Sequence, residues 1–155
     1  MIRWYYISFM VLLCGLYGFR VAGHYVQREA PQSWLPAAEM WYAGDLPYET
    51  LLVIQIFILL FMVVTTWRAA LHHITPRSWK RRICQIAGWG YLILILAQMI
   101  PGIEFPPDHT WMVNTLPLFF QMVIAIYVIT LGVYLGYDAA RRKEHYYQGY
   151  GAPDT

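Results

Sequence analysis

Charge is what this sequence has least of. Only 13% of its 155 residues are Asp, Glu, Lys or Arg, about half the share usual in soluble domains. Eleven Lys and Arg stand against nine Asp and Glu, a formal net charge of +2. That balance gives no electrostatic case for a nucleic-acid partner. Cysteine is as scarce. Cys14 and Cys84 form no CxxC, so thiol-redox chemistry has no motif. On the spans assigned below they differ in depth by roughly 15 Å at 1.5 Å per residue. A disulfide needs Cα atoms within about 7 Å, so both thiols are expected to be free. Ser8 has no catalytic base near it in sequence, which leaves nucleophilic catalysis unsupported. Long polar stretches are missing too, and the loop over 25–49 is too short to be a soluble domain.

Apolar and aromatic residues fill the space instead. The chain is 59% hydrophobic and holds seven Trp and thirteen Tyr. Thr50 to Trp67 runs without a charge between Glu49 and Arg68, close to the roughly 20 apolar residues that carry a helix across a bilayer. Lipid allows only helices or closed barrels, and this run lacks a barrel strand's alternation. Three further stretches, at about 4–24, 83–100 and 116–137, read the same way. The fold class expected is an all-α bundle of four transmembrane helices over residues 1–138.

The ends of these spans carry their own signals. Trp4 to Phe19 is uncharged, and extension to His24 places Arg20 near the far end, where its side chain is expected to snorkel to the head groups. A basic start before an apolar run also fits a secretory signal, with Val21-Ala22-Gly23 as a weak cleavage site. We read the segment as a retained helix. Pro101-Gly102 breaks the third span. Asn114 or Thr115 can cap the fourth, with Pro117 in its first turn. In the first loop, Ser33 as N-cap and Trp34, Ala38 and Trp41 on one face predict an interfacial helix over 33–43. The alternative is an irregular loop anchored by the two Trp. The tail, 139–155, has no apolar period and is expected to be mobile in the cytoplasm.

Charge distribution sets the expected topology. Arg3, then Arg68, Arg77, Lys80, Arg81 and Arg82, then Arg141, Arg142 and Lys143 fall on one side, nine of the eleven basic residues. Arg20 and Arg28 fall on the other, with six of the nine acidic residues. The positive-inside rule then puts both termini in the cytoplasm, in a bacterial inner membrane on this reading. Trp and Tyr cluster at the same span ends, as interface belts do.

Three spans each show a glutamine: Gln55, Gln98 and Gln121. Counted from the outer ends, all lie in the outer leaflet near one depth, with Arg20 and His24 close by and Asn114 just above. These six are the candidate ligand-binding residues, for a quinone or lipid head group. The plainer reading is interhelical hydrogen bonding, at about 0.6–2 kcal/mol per side chain. Small residues mark packing seams: Gly132 and Gly136, Cys84 and Gly88, Gly15 and Gly18. They do not distinguish an internal seam from a partner subunit. Arg77, Lys80, Arg81 and Arg82 are the expected contacts for anionic lipid, beside His72 and His73. No metal or cofactor is called for; a haem between His24 and His109, or a quinone, are the alternatives. No span holds Asp, Glu or Lys, the usual mark of a proton relay.

Trp41, the run Gly44-Asp45-Leu46-Pro47-Tyr48, Leu52 and Gln55 resemble a pattern in small uncharacterised bacterial four-helix membrane proteins. That group also tends to carry an Arg after Met in its third helix and a His after Phe in its fourth. Here those places read Met99-Ile100-Pro101 and Phe120-Gln121. The resemblance implies the fold and no activity. The functional expectation is a non-catalytic integral membrane subunit, or an assembly partner of a larger complex or of itself. A quinone- or lipid-binding redox-associated protein is the first alternative, and a homo-oligomeric transporter of a neutral solute the second.

Overall fold

The computed structural model describes residues 2–35, 47–75, 77–100 and 115–149. Every regular element among them is a helix: α1 (Ile2–Glu29), α2 (Tyr48–Ala70), α3 (Ser78–Gln98) and α4 (Thr115–Gly149). Three are long and apolar enough to cross a membrane, over Arg3–Glu29, Tyr48–Ala70 and Leu116–Arg142. Their mean hydropathies are 1.5, 2.3 and 2.2. α3 falls short of the four-span expectation on composition. Lys80, Arg81 and Arg82 fill its first turns, and Gln85, Trp89, Tyr91 and Gln98 dilute the apolar run that follows.

All four helices differ in their bounds from the sequence reading: α2 is longer at both ends than 50–67, and α3 starts at Ser78 rather than 83. α1 extends at both ends beyond 4–24. α4 continues to Gly149, although residues from Asp138 onward lack an apolar period. Ala139, Ala140 and the charged residues after them are strong helix formers. Arg142 adds an i,i+4 bond to Asp138 at 2.9 Å. At 35 residues, α4 is roughly 50 Å long, against a hydrocarbon core of about 30 Å. Of the helix expected over 33–43, Ser33 and Trp34 sit in a turn, and residues 36–46 lie outside the described residues.

Successive helices run in opposite directions. Cys14 Sγ lies 3.5 Å from Thr66 Oγ1, and Arg3 donates to the Ala69 and Ala70 carbonyls, so α1 and α2 are antiparallel. Tyr6 stacks near Tyr134 and Tyr137, while Arg20 reaches the Pro117 carbonyl, so α1 and α4 are antiparallel. The Tyr127 hydroxyl donates to Met62 O at 2.8 Å, and the Tyr134 hydroxyl to Ala69 O at 2.9 Å. Both steps span two helical turns, which makes α2 and α4 parallel.

α3 packs on α4 more extensively than any other two helices pack together. A Cβ on Gly88 would stand 2.7 Å from Ile129 Cγ1 and 3.0 Å from the Ile129 nitrogen. One on Gly132 would meet Gln85 Nε2 at 2.6 Å, and one on Gly136 the Arg81 Nε at 3.0 Å. Paired residue numbers fall along one helix as they rise along the other, so the helices are antiparallel. The seams expected at Gly132–Gly136 and Cys84–Gly88 are therefore two sides of one internal seam. Backbone approach of this kind replaces the hydrophobic drive that lipid cannot supply. Ile95, Leu118 and Ala125 fill the outer half of the same interface.

The main core lies between α1, α2 and α4, around Met10, Leu13, Tyr17, Met62, Tyr127 and Leu131. α2 and α3 follow each other in sequence but share no extensive contact. The turn between them starts with a non-glycine residue in left-handed backbone, His72 at φ 58°. His73 N–H donates to Arg68 O at 2.9 Å and His72 N–H to Ala69 O at 3.3 Å. This is the Schellman pattern, which usually has glycine at the left-handed position.

Two outcomes follow for measurement by thermal or SDS unfolding in detergent. Gly88→Leu should destabilise by about 1–3 kcal/mol, because backbone on α4 cannot yield as a flexible side chain does. His72→Gly should stabilise by about 1 kcal/mol, since the left-handed penalty of a Cβ disappears.

Candidate functional site

One face of α1 enters the bundle along its whole length: Ile7, Met10, Cys14, Tyr17, Arg20, His24 and Gln27 are all buried. The spacing of three or four residues is that of one helical stripe. Its inner half is apolar and its outer half polar. Arg20 therefore does not snorkel outward. It is 7% exposed and points at α4, because its position on the stripe allows nothing else.

Around Arg20 the contacts are weak acceptors and rings. Nη1 donates to the Pro117 carbonyl at 3.4 Å, and Cζ lies 5.2 Å from the centre of the Phe120 ring. Pro117 sits in the first turn of α4. Tyr17 and, from α3, Tyr91 lie within electrostatic range. Nε has no hydrogen-bond partner among the described residues. No carboxylate pairs with Arg20 among them either; the two ion pairs there are Arg28–Glu29 and Arg142–Asp138. A buried cation with no counter-charge is costly, which is why intramembrane charges generally serve a function.

One turn further out, His24 and Gln55 are neighbours, each 2% exposed, and neither amide atom of Gln55 has a hydrogen-bond partner among the described residues. The His24 ring meets Tyr48 edge-on at 5.0 Å, and the Arg28 guanidinium lies over the same Tyr48 at 3.7 Å. Gln27 Oε1 accepts from the Gln32 N–H at 3.0 Å and fixes the chain as it leaves α1. Two basic side chains and a glutamine thus lie buried with the rings of Tyr17 and Phe120, with the half-buried Tyr48 and the exposed Tyr91 at the edge. What the cluster offers chemically is hydrogen-bond donors for an oxygen acceptor, the unpaired Nε of Arg20 among them.

The structure brings together three of the six expected ligand residues: Arg20, His24 and Gln55. Gln98 and Gln121 are half-buried on α3 and α4, and no hydrogen bond among the described residues joins them to this cluster. Gln121 lies one turn from Ala125, on the side of α4 that packs against α3. Asn114 and His109 lie outside the described residues. No group of three or more His, Cys, Asp or Glu is placed to hold a metal among the described residues. Comparison with family models, with curated proteins and with solved structures finds no match.

Of the four residues expected at anionic lipid, Arg77 and Arg82 are exposed and Lys80 is partly covered. Arg81 is exposed as well, although its guanidinium also lies against Gly136 at the edge of the α3–α4 seam. Three polar contributors have no counterpart in the sequence reading. Gln85 donates to Ile129 O at 3.1 Å and accepts from the Trp89 indole at 3.1 Å. Thr66 Oγ1 lies 3.0 Å from the Tyr127 hydroxyl. Tyr127 spends its one proton on Met62 O, so Thr66 donates to Tyr127 and is left to accept from Cys14. A phenol deep in a span was the available signal, since it needs a partner there.

Arg20→Met tests the uncompensated charge. The variant should be at least as stable as the parent without ligand, by up to about 2 kcal/mol, because an apolar side chain of similar length removes the desolvation cost. A midpoint that falls by that amount would show that Arg20 is satisfied where it stands.

Proposed function

We propose that this is a four-span integral membrane protein that binds a quinone-type ligand at Arg20, His24 and Gln55. The single observation that carries this is the buried guanidinium with no carboxylate beside it among the described residues. Its environment favours a flat, weakly charged carbonyl head over a hydrated phosphate. Rings of Tyr17, Tyr48, Tyr91 and Phe120 surround the two basic groups, and a dehydrated phosphate would carry a far larger desolvation cost. Arg20 and His24 would donate to the carbonyl oxygens, Gln55 would hold His24 in place, and an isoprenoid tail would lie along the outer apolar surface of the bundle.

In this reading α3 is the fourth span, its thin hydropathy compensated by its close fit to α4. Both termini then lie on the cytoplasmic side of a bacterial inner membrane. Arg3, the basic turn and Arg142 gather at one end of the bundle, which supports that orientation. The protein is not assigned a catalytic step. Its use would be that of a ligand-holding subunit in a membrane redox assembly, and the exposed rings of Phe57 and Trp89 offer surface for lipid or neighbours.

Native mass spectrometry after extraction in mild detergent tests the proposal. The expected species is the 18.2 kDa chain with one organic adduct that absorbs in the near ultraviolet and is lost in Arg20→Met. Foreign chains without such an adduct would favour the plain accessory-subunit reading. A bare chain would end the quinone reading.

A further inference from the structure

α2 and α3 are joined by a short turn yet do not pack on each other. Between their inner halves lies a cleft of about 350 Å³. Leu131 and Leu135 of α4 form its floor, and Phe61 and Ile83 its walls. Its rim is basic: Arg68 from the last turn of α2, His73 from the turn, and Lys80 from the first turn of α3. Among the described residues no acidic side chain lines it. Thr65, Ile74, Thr75, Cys84 and the indole of Trp79 also line it.

We infer that this cleft holds an anionic phospholipid of the inner leaflet, its phosphate at the rim and one acyl chain against Leu131, Leu135 and Phe61. The charge pattern selects this occupant. Cations sit only at the mouth, at the level of the basic turn, and the depth is apolar, which is the order of groups along a lipid. The rim is also held in place. Arg142 donates to the carbonyls of His72 and Ile74 and is braced by Asp138, so the turn carrying His73 is tied to α4. Arg68 stands where the negative end of the α2 dipole favours a cation. A phosphate there would bridge α2 and α3, which nothing else joins closely. The site is separate from the outer cluster and does not depend on the quinone reading. It also differs from a general basic surface, because Arg77 and Arg82 lie outside it while Arg68 and His73 belong to it.

The test is native mass spectrometry of the full chain in detergent with added phosphatidylglycerol or phosphatidylcholine, with inorganic phosphate as a further arm. The parent should retain one phosphatidylglycerol at least tenfold more strongly than phosphatidylcholine. Arg68→Gln with Lys80→Gln should abolish that preference, while Arg77→Gln with Arg82→Gln, an equal loss of charge, should leave it. Ile83→Trp, at a position already exposed, should lower retention by obstructing the apolar wall without changing charge. Circular dichroism confirms that each variant is folded. Equal retention of the two lipids, equal losses in the two double variants, or inorganic phosphate that displaces the lipid at millimolar concentration would overturn the proposal. A phosphatidylglycerol adduct that persists in Arg20→Met separates this site from the outer one.

Discussion

Two tyrosine hydroxyls set the distance between α2 and α4. Tyr127 and Tyr134 reach across from α4 and donate to backbone carbonyls of α2, two turns apart on both helices. A phenol has a fixed length, so the pair acts as two struts that hold parallel helices apart while satisfying their own buried hydroxyls. Much else follows from that spacing. α1 fills one side of the gap and brings Cys14 to Thr66, completing a chain of donors from thiol to carbonyl through three helices. On the other side α3 comes as close to α4 as glycine permits and cannot also reach α2. The inner cleft is the space left over.

The two ends of the bundle are electrostatically unlike. At the inner end cations meet partners: Arg3 takes up the last carbonyls of α2, and Arg142 is shared between Asp138 and the turn. These are helix C-terminal carbonyls, which have no intrahelical donor and favour positive charge. At the opposite end Arg20 is buried without a carboxylate among the described residues. The same α1 stripe serves both ends, and its change from apolar to polar near Tyr17 separates the packing half of the bundle from the half that can bind.

Much of this arrangement can be read from the residues, and the failures have physical causes. The uncharged run of α2 is unambiguous because lipid leaves a backbone few options. Glycine spacing at Gly132 and Gly136 marks a close approach, but spacing holds no information about whose backbone approaches. The direction of Arg20 is the instructive failure. α1 is apolar nearly all round, so its buried stripe has little contrast with its lipid face, and an arginine near the end of a span usually turns outward. Only the contacts of Tyr17 and His24 show that the stripe passes through it. Gln85 is hidden by its neighbours, since a polar residue three places after Arg82 resembles the interface more than a seam. The shared depth of the three glutamines holds no information about direction around each helix: Gln55 lies beside His24, while Gln121 is on the side of α4 that packs against α3.

The dependence of α3 on α4 carries a consequence for biosynthesis. A ribosome delivers α3 before α4, and α3 is the least apolar of the four helices, with its closest neighbour still unmade. Alone in the bilayer it would expose Gln85 and the bare backbone at Gly88, groups that α4 later covers. On the four-span proposal, efficient integration therefore asks that the two enter as a pair. A chain stalled before Thr115 would hold a finished hairpin of α1 and α2 and a third helix still waiting at the translocon.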